Sequence, residues 1–252
     1  MTAEEDAPVP AQWQPVGRAR TYELVITAIE EQIMTGALGV GDPLPPERDL
    51  AAKLQVSRPA VREAFRVLEA QGVLRSAVGS GAGAGTFVAS MPSDALTRFL
   101  RLHIALSNFN AADVVEARVT LERSSVALAA SHPGPGRLAD ARAAIEVMDS
   151  YDVDRATFND ADTAFHTAIA EAGGNRLVTA MTVAIRNAMR GRLLAAFEEV
   201  DDWPALRDQL RAEHHAILAA IDAGDSATAA TLAEQHIRTA YQRLPALRDG
   251  TV

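Results

Sequence analysis

Between residues 94 and 244 the sequence carries apolar residues at helical spacing and none of the alternation that marks a strand. This pattern is interrupted at short segments such as SHPGPG, GGN, DDWP and AGD, which are typical of turns between helices. The pattern predicts helices at about 94–106, 111–131, 136–150, 155–173, 175–199, 204–223 and 226–244. Because these helices must bury their apolar faces against one another, we expect an all-α helical bundle over residues 91–250.

The length and composition limit the class of protein. A chain of 252 residues is long for one hydrophobic core, so we expect two domains. The formal charge of −9 argues against a protein that coats nucleic acid or membrane through bulk charge, but it says nothing about a local basic patch. Cysteine is absent, and neither a signal peptide nor an apolar stretch of membrane-spanning length is found. We therefore expect a cytoplasmic protein with no membrane partner, and a disordered tail over residues 1–18.

Three of the predicted helices carry potential metal ligands. Asp162 and His166 are four residues apart and therefore lie on one face of a helix. His214 lies ten residues before Gly224 and His236 lies twelve residues after it. If the flanking helices are antiparallel and rise about 1.5 Å per residue, the two imidazoles face each other. A lone histidine in such a helix is more often hydrogen-bonded or half-exposed, and only the combination of four residues favours a metal.

The types of these side chains indicate which metal would bind. Imidazole and carboxylate suit divalent transition metals, and the absence of thiolate argues against a cysteine-rich structural zinc site. We predict zinc first, with nickel, manganese or iron as alternatives. Three neutral imidazoles and one carboxylate would leave a positive charge and open positions, so the site would attract an anion.

Residues 19–90 show a second pattern. Helices predicted at about 22–35 and 47–54 precede a third helix that begins after Ser57, a suitable N-cap residue, and ends at Gly72. The short turn between the last two helices predicts a helix-turn-helix. Arg58 and Arg62 lie one turn apart near the start of the third helix, where such helices meet base edges. Strands predicted at about 74–78 and 86–89, around a glycine-rich loop, add the wing of a winged helix.

Two other interpretations of this region are weaker. An arginine-rich helix is often only a solvated surface, but the neighbouring turn and wing favour DNA binding. The glycine-rich loop could cradle a phosphate, but GSGAGAG leads into a strand rather than a helix. It also lacks the lysine and hydroxyl residue that end such loops.

Residues 20–89 resemble the N-terminal domain of the GntR family of bacterial transcription regulators. The likeness is carried by GALGVGDP, LPPERDLAAKLQVSRPAVREAFRVLEAQGVL and GTFV. The resemblance implies that Arg48, Arg58 and Arg62 contact DNA and that the glycine-rich wing, with Gly83, reaches the minor groove. Ser57, at the start of the third helix, completes the predicted DNA-binding set.

Residues 94–244 resemble the FCD type of the same family, a helical effector-binding domain. The likeness is carried by ARVTLE, DTAFHTAIAEAGGN, EHHAILAAIDAGD and a later EQH. The resemblance implies the same metal ligands as the spacing, namely Asp162, His166, His214 and His236. His215 points about 100° away from its neighbour on the helix, so we predict that it is not a ligand. His103 and His132 show no partner pattern and are expected to be ordinary surface or packing residues.

Three arginines are candidates for binding the effector. Arg118, in EARVTLE, lies where the FCD type commonly places an arginine near the effector, and a guanidinium binds a carboxylate through two parallel hydrogen bonds. An equally good interpretation is an intrahelical pair with Glu122, four residues further on. Arg186 and Arg190, one turn apart, are weaker candidates of the same kind.

The sequence thus predicts a mainly α protein with an N-terminal winged helix-turn-helix and a C-terminal all-α bundle. We expect a dimeric transcription regulator that binds a palindromic operator in double-stranded DNA. The resemblance to the GntR family implies a repressor more readily than an activator. A small carboxylate effector would act at the metal. A metal-dependent enzyme and a direct metal sensor remain alternatives, although no catalytic acid or base follows the ligands and an enzyme leaves the winged helix unexplained.

Overall fold

The computed structural model describes residues 20–77, 79, 84–90, 93–106, 109–132, 134, 136–244 and 247. The chain divides into two compact units, Met1–Met91 and Pro92–Val252. The predicted tail at 1–18 and the wing residue Gly83 lie outside the described residues.

The first unit is a winged helix-turn-helix. Its elements are α1 (Thr21–Met34), α2 (Glu47–Leu54), α3 (Arg58–Ala70), β1 (Leu74–Ala77) and β2 (Gly85–Val88). The two strands are antiparallel, with Leu74 opposite Val88 and Ala77 opposite Gly85. The predicted helix-turn-helix and hairpin are both confirmed.

Local signals define the turn between α2 and α3. Gln55 has a φ of 55° and ends α2 in the left-handed conformation. Two residues later, the Ser57 side chain accepts a hydrogen bond from the Ala60 amide and caps α3. The apolar face of α3 is buried in the core of this unit and consists of Val61, Ala64, Phe65 and Leu68. The opposite, polar face of α3 therefore remains exposed.

The second unit is helical throughout its described part, as predicted. Its elements are α4 (Ser93–Ala105), α5 (Ala111–Ser131), α6 (Ala139–Met148), α7 (Arg155–Ala172), α8 (Arg176–Glu198), α9 (Trp203–Asp222) and α10 (Ser226–Arg243). The helix expected at 136–150 begins three residues later because Gly136, with a φ of 82°, lies in a turn. None of the helices in the described ranges has the length and apolar character that a membrane crossing needs.

Helices α5 and α7 lie at the centre of this unit. α5 packs against α7, α8, α9 and α10, and α7 also packs against α6 and α8. Phe158 on α7 is fully buried, with its ring edge-on to Phe197 and Trp203 at centroid distances of 6.3 and 5.4 Å. Aromatic packing of this kind fixes the position of α7 relative to α8 and α9.

We expect Phe158→Ala to lower the free energy of unfolding by about 3–5 kcal/mol, because the large ring is replaced by a cavity. Chemical denaturation followed by far-ultraviolet circular dichroism measures this loss. Leu177→Ala is the control, since Leu177 is 63% exposed, and it should change stability by less than about 0.5 kcal/mol. Equal losses for the two variants would contradict the packing described.

Candidate metal centre and nucleic-acid interface

Four buried side chains from three helices converge at one point in the second unit. Asp162 and His166 come from α7, His214 from α9 and His236 from α10. Each offers one ligand atom, and these atoms all lie within 4.8 Å of one another. The structure thus brings together the four residues that the spacing of the sequence singled out.

The local structure explains why they converge. Asp162 and His166 are separated by one turn of α7 and are both buried on the same face of that helix. Helices α9 and α10 pack against each other around the turn at Gly224, whose φ of 71° permits the reversal of the chain. His214 and His236 lie at comparable distances from that turn, so their rings meet, with centroids 4.5 Å apart.

Asp162 Oδ1 is the atom shared by the three imidazoles. It lies 3.0 Å from His214 Nε2, 3.8 Å from His166 Nε2 and 3.9 Å from His236 Nε2. The 3.0 Å approach of His214 is not aligned as a hydrogen bond, and both of its buried ring nitrogens are without a hydrogen-bond partner in the described part of the chain. His166 Nε2 is likewise buried and without a partner there.

These buried nitrogens fit a divalent cation. Buried polar atoms are nearly always paired, so several unpaired ring nitrogens around one carboxylate call for a ligand. Neutral imidazole and carboxylate are the donors that zinc and related transition metals take. Asp162, His166, His214 and His236 are therefore the residues that could hold such an ion.

Two further carboxylates bind the Nδ1 atoms of His166 and His236. His166 Nδ1 donates to Glu122 Oε2 at 2.9 Å, and His236 Nδ1 donates to Glu213 Oε2 at 2.8 Å. A carboxylate on the far nitrogen of an imidazole fixes the ring and its tautomer, and it leaves Nε2 free for a metal. Neither role follows from the spacing of residues in the sequence, although Glu213 directly precedes His214 and Glu122 lies four residues after Arg118.

Glu122 also binds two buried guanidiniums. Arg118 Nε donates to Glu122 Oε1 at 3.0 Å, and Arg186 Nη2 donates to Glu122 Oε2 at 2.8 Å. Arg186 Nη1 also donates to Asp162 Oδ2 at 2.9 Å. One buried carboxylate therefore connects α5 to α8 and, through His166, to α7.

The four ligand candidates form one buried cluster with Glu122, Arg118 and Arg186. The charges of this cluster shift the pKa values of its members. Burial is the largest single effect on Glu122 and Asp162 and opposes their charge, but Arg186 and the other neighbouring donors together outweigh it and hold the pKa of both carboxyls well below the ordinary value. Burial, reinforced by Arg186, lowers the pKa of His166 to about 3. Burial also lowers the pKa of His214. Both imidazoles are therefore neutral near pH 7, which is the form that binds a metal.

The three effector candidates occupy two different environments. Arg118 and Arg186 lie in the cluster, where Glu122 and Asp162 balance their charges. The intrahelical pair of Arg118 and Glu122, considered as an alternative, is present and buried. Arg190 is half-exposed and pairs with Asp160 on the surface, so the structure does not bring it to the cluster.

The remaining histidines lie outside the cluster. His215 is exposed and lies 2.9 Å from Asp149 Oδ2. His132 is exposed, and its Nδ1 lies 2.8 Å from the Leu128 carbonyl oxygen. The ring of His103 lies beside that of Phe99, tilted by 42°, with ring centroids 4.3 Å apart.

The predicted DNA-binding residues lie on the exposed side of α2 and α3. Arg62 binds Glu47 at the start of α2, with Nη2 to Oε2 at 2.9 Å and Nε to both carboxylate oxygens at 3.1 and 3.2 Å. Arg48 pairs with its neighbour Asp49 at 2.9 Å. Arg58 is exposed and has no ion pair within the described ranges. The hydrogen bonds of Arg62 with Glu47 raise its pKa and fix the direction of its guanidinium.

Two family descriptions match this chain. Residues 21–84 match the description "Bacterial regulatory proteins, gntR family", and residues 113–239 match "FCD domain". Each match falls within one of the two compact units.

Individual proteins are also similar to this chain. An uncharacterized HTH-type transcriptional regulator of Mycobacterium tuberculosis, Rv0494, is 30% identical over 243 residues, which are 92% of this chain and 93% of the relative. The HTH-type transcriptional repressor NanR of Salmonella newport is 30% identical over 177 residues, which are 68% of this chain and 66% of the relative. The structure of a Streptococcus agalactiae GntR protein superposes with a TM-score of 0.57 at 22% identity. The superposition covers 88% of this chain and 99% of the Streptococcus agalactiae chain. This last likeness supports the fold alone.

The winged helix-turn-helix, the helical bundle and these matches lead to one conclusion. This chain belongs to the GntR family of bacterial regulatory proteins, carries an FCD domain, and is a DNA-binding transcription regulator.

Proposed function

We propose that this protein is a repressor whose binding to its operator is controlled by a small organic acid at a metal ion in the FCD domain. The observation that carries the proposal is the buried group of four ligand atoms within 4.8 Å of one another. The repressor sense is supported by the name of the NanR relative.

The charge of the site supports an anionic effector. Two guanidiniums already balance Glu122 and Asp162 in the cluster, and burial keeps His166 and His214 neutral. A divalent ion held by Asp162, His166, His214 and His236 would therefore add positive charge to a buried site and act as a Lewis acid toward a carboxylate. We propose zinc as this ion, with nickel, manganese or iron as alternatives.

Helix α3 supplies the proposed contact with DNA. Arg58 and Arg62 lie near its N-terminal end, and Arg48 lies on the neighbouring α2. Two protomers related by a two-fold axis would place two such helices on the half-sites of a palindrome. The acid controls this binding only if it has different affinities for the DNA-competent and DNA-incompetent states.

We expect zinc to raise the midpoint of thermal unfolding of the metal-free protein, because it binds only the folded site. At a free zinc concentration 100-fold above Kd the stabilisation should be about 2.7 kcal/mol, and a chelator should reverse it. His236→Ala should abolish the shift. His215→Ala, which removes an exposed neighbour of His214, should respond like the wild type. A shift of equal size in both variants would rule out the proposed site.

With zinc bound, small mono- and dicarboxylates should raise the midpoint further and should release DNA that has been selected from a random pool. The same acids should have no effect on the metal-free protein, because their carboxylates would lack the cation. Thermal-shift and fluorescence-anisotropy titrations measure the two effects. Control of DNA binding by zinc with no response to any acid would identify a metal sensor, and turnover of the acid would identify an enzyme.

Arg62→Ala should weaken binding to the selected DNA by about 1–3 kcal/mol if the guanidinium contacts a base. Arg66→Ala, one turn further along α3, is the matched control, because Arg66 is also exposed and carries the same charge. It should have a smaller effect on the preference for the selected sequence over random DNA. Fluorescence anisotropy at several salt concentrations separates the two variants. An unchanged sequence preference in Arg62→Ala would remove Arg62 from the DNA-reading surface.

A further inference from the structure

The three histidines of the cluster are not held in the same way. His166 and His236 each donate their Nδ1 hydrogen to a carboxylate, Glu122 at 2.9 Å and Glu213 at 2.8 Å. In both rings the proton is therefore on Nδ1, and the Nε2 lone pair points toward the cluster. These two imidazoles are already in the tautomer that a metal ligand requires.

His214 has no such partner. Its Nδ1 is buried without a hydrogen bond within the described residues. The ring packs beside the aromatic rings of Phe165 and Phe158, with centroids 4.9 and 6.3 Å away. Aromatic rings of this kind provide no acceptor comparable to a carboxylate. A proton on Nδ1 would therefore be a buried donor without a partner, which is costly.

The other nitrogen of His214 faces a negative charge. Its Nε2 lies 3.0 Å from Oδ1 of the Asp162 carboxylate, whose other oxygen accepts a hydrogen bond from the Arg186 guanidinium at 2.9 Å. Although the two atoms are not aligned as a hydrogen bond, the negative charge at this distance attracts a proton on Nε2 and repels a lone pair there. In the absence of metal, His214 thus favours the tautomer opposite to that of His166 and His236.

We propose that Asp162, His166 and His236 form a preset three-ligand metal site, and that His214 joins it only after its ring proton moves from Nε2 to Nδ1. The Nε2 proton passes to water and a second proton is taken up at Nδ1, so the ring stays neutral. The cost of the unpartnered Nδ1–H makes His214 the most weakly held of the four ligands.

The weak hold on His214 also predicts where the effector binds, and this part of the proposal rests on the proposed function. The most weakly held ligand marks the position where a competing oxygen donor replaces a protein side chain most readily. The carboxylate of the proposed acid would therefore compete with His214 rather than with His166 or His236. His214 would then be the side chain of α9 that responds to the acid.

Nitrogen-15 NMR of the imidazole rings tests the tautomers in the wild-type protein. In metal-free protein we expect the Nδ1–H tautomer for His166 and His236 and the Nε2–H tautomer for His214. After addition of zinc, all three should carry the proton on Nδ1. The signals are assigned from their absence in the three single histidine-to-alanine variants. An Nδ1–H tautomer of His214 in the metal-free protein would overturn the proposal.

The same three variants test how firmly each ligand is held. Competition with a chromogenic chelator gives the zinc affinity of each variant, and circular dichroism establishes that each is folded. We expect His214→Ala to lose at least about tenfold less affinity than His236→Ala, since one missing hydrogen bond corresponds to a factor of roughly ten. His215→Ala, the neighbouring exposed histidine, should leave the affinity unchanged.

The outcomes separate this inference from the proposed function. If the wild type binds zinc and the three cluster variants lose equal affinity, the graded set of ligands is wrong but the metal site stands. If the wild type does not bind zinc at all, the metal site of the proposed function fails and this inference fails with it. Should a variant not fold, its ring signal is assigned by resonance assignment of the wild-type protein, so the tautomers of the wild type still decide the question.

Discussion

The buried carboxylate of Glu122 is the interaction on which the rest of the FCD domain depends. It accepts hydrogen bonds from Arg118, Arg186 and His166, which belong to three different helices. An ionised carboxylate is expensive to bury, and only this full set of donors offsets the loss of water. The same contacts fix where α7 and α8 lie relative to α5, so the position of Asp162, which Arg186 also binds, follows from them.

Balanced charge also explains why such a cluster is stable inside an apolar bundle. Glu122 and Asp162 are matched by Arg118 and Arg186, and a low pKa keeps His166 neutral. The formal charges of these two carboxylates and two guanidiniums therefore cancel. Removal of one partner would leave an uncompensated buried charge, which costs more than the pair contributes. The ionic network therefore serves to position side chains more than to add stability.

The sequence predicted much of the fold and the proximity of the ligands, because both depend on local periodicity. The four-residue separation of Asp162 and His166 guarantees a shared helix face wherever the helix packs. The contacts of Glu122 depend instead on how three helices cross, which no single segment encodes. Arg186 and Arg190 show the same limit, because they are one turn apart and yet one is buried and the other is 51% exposed. Helix periodicity predicts on which face of a helix a side chain lies. It does not predict where along that face burial in the core ends.

In each of the two units, a carboxylate from another helix binds a side chain that is proposed to contact a ligand. In the winged helix, Glu47 binds Arg62 through Nε and Nη2, which leaves Nη1 of the guanidinium free to point elsewhere. In the FCD domain, Glu122 binds His166 through Nδ1 and leaves Nε2 free. A carboxylate from another helix thus orders a long or rotatable side chain before any ligand arrives. Since the conformational entropy is lost during folding, binding itself costs less. His214 lacks a carboxylate partner of this kind, and so the tautomer of its ring can change with what binds beside it.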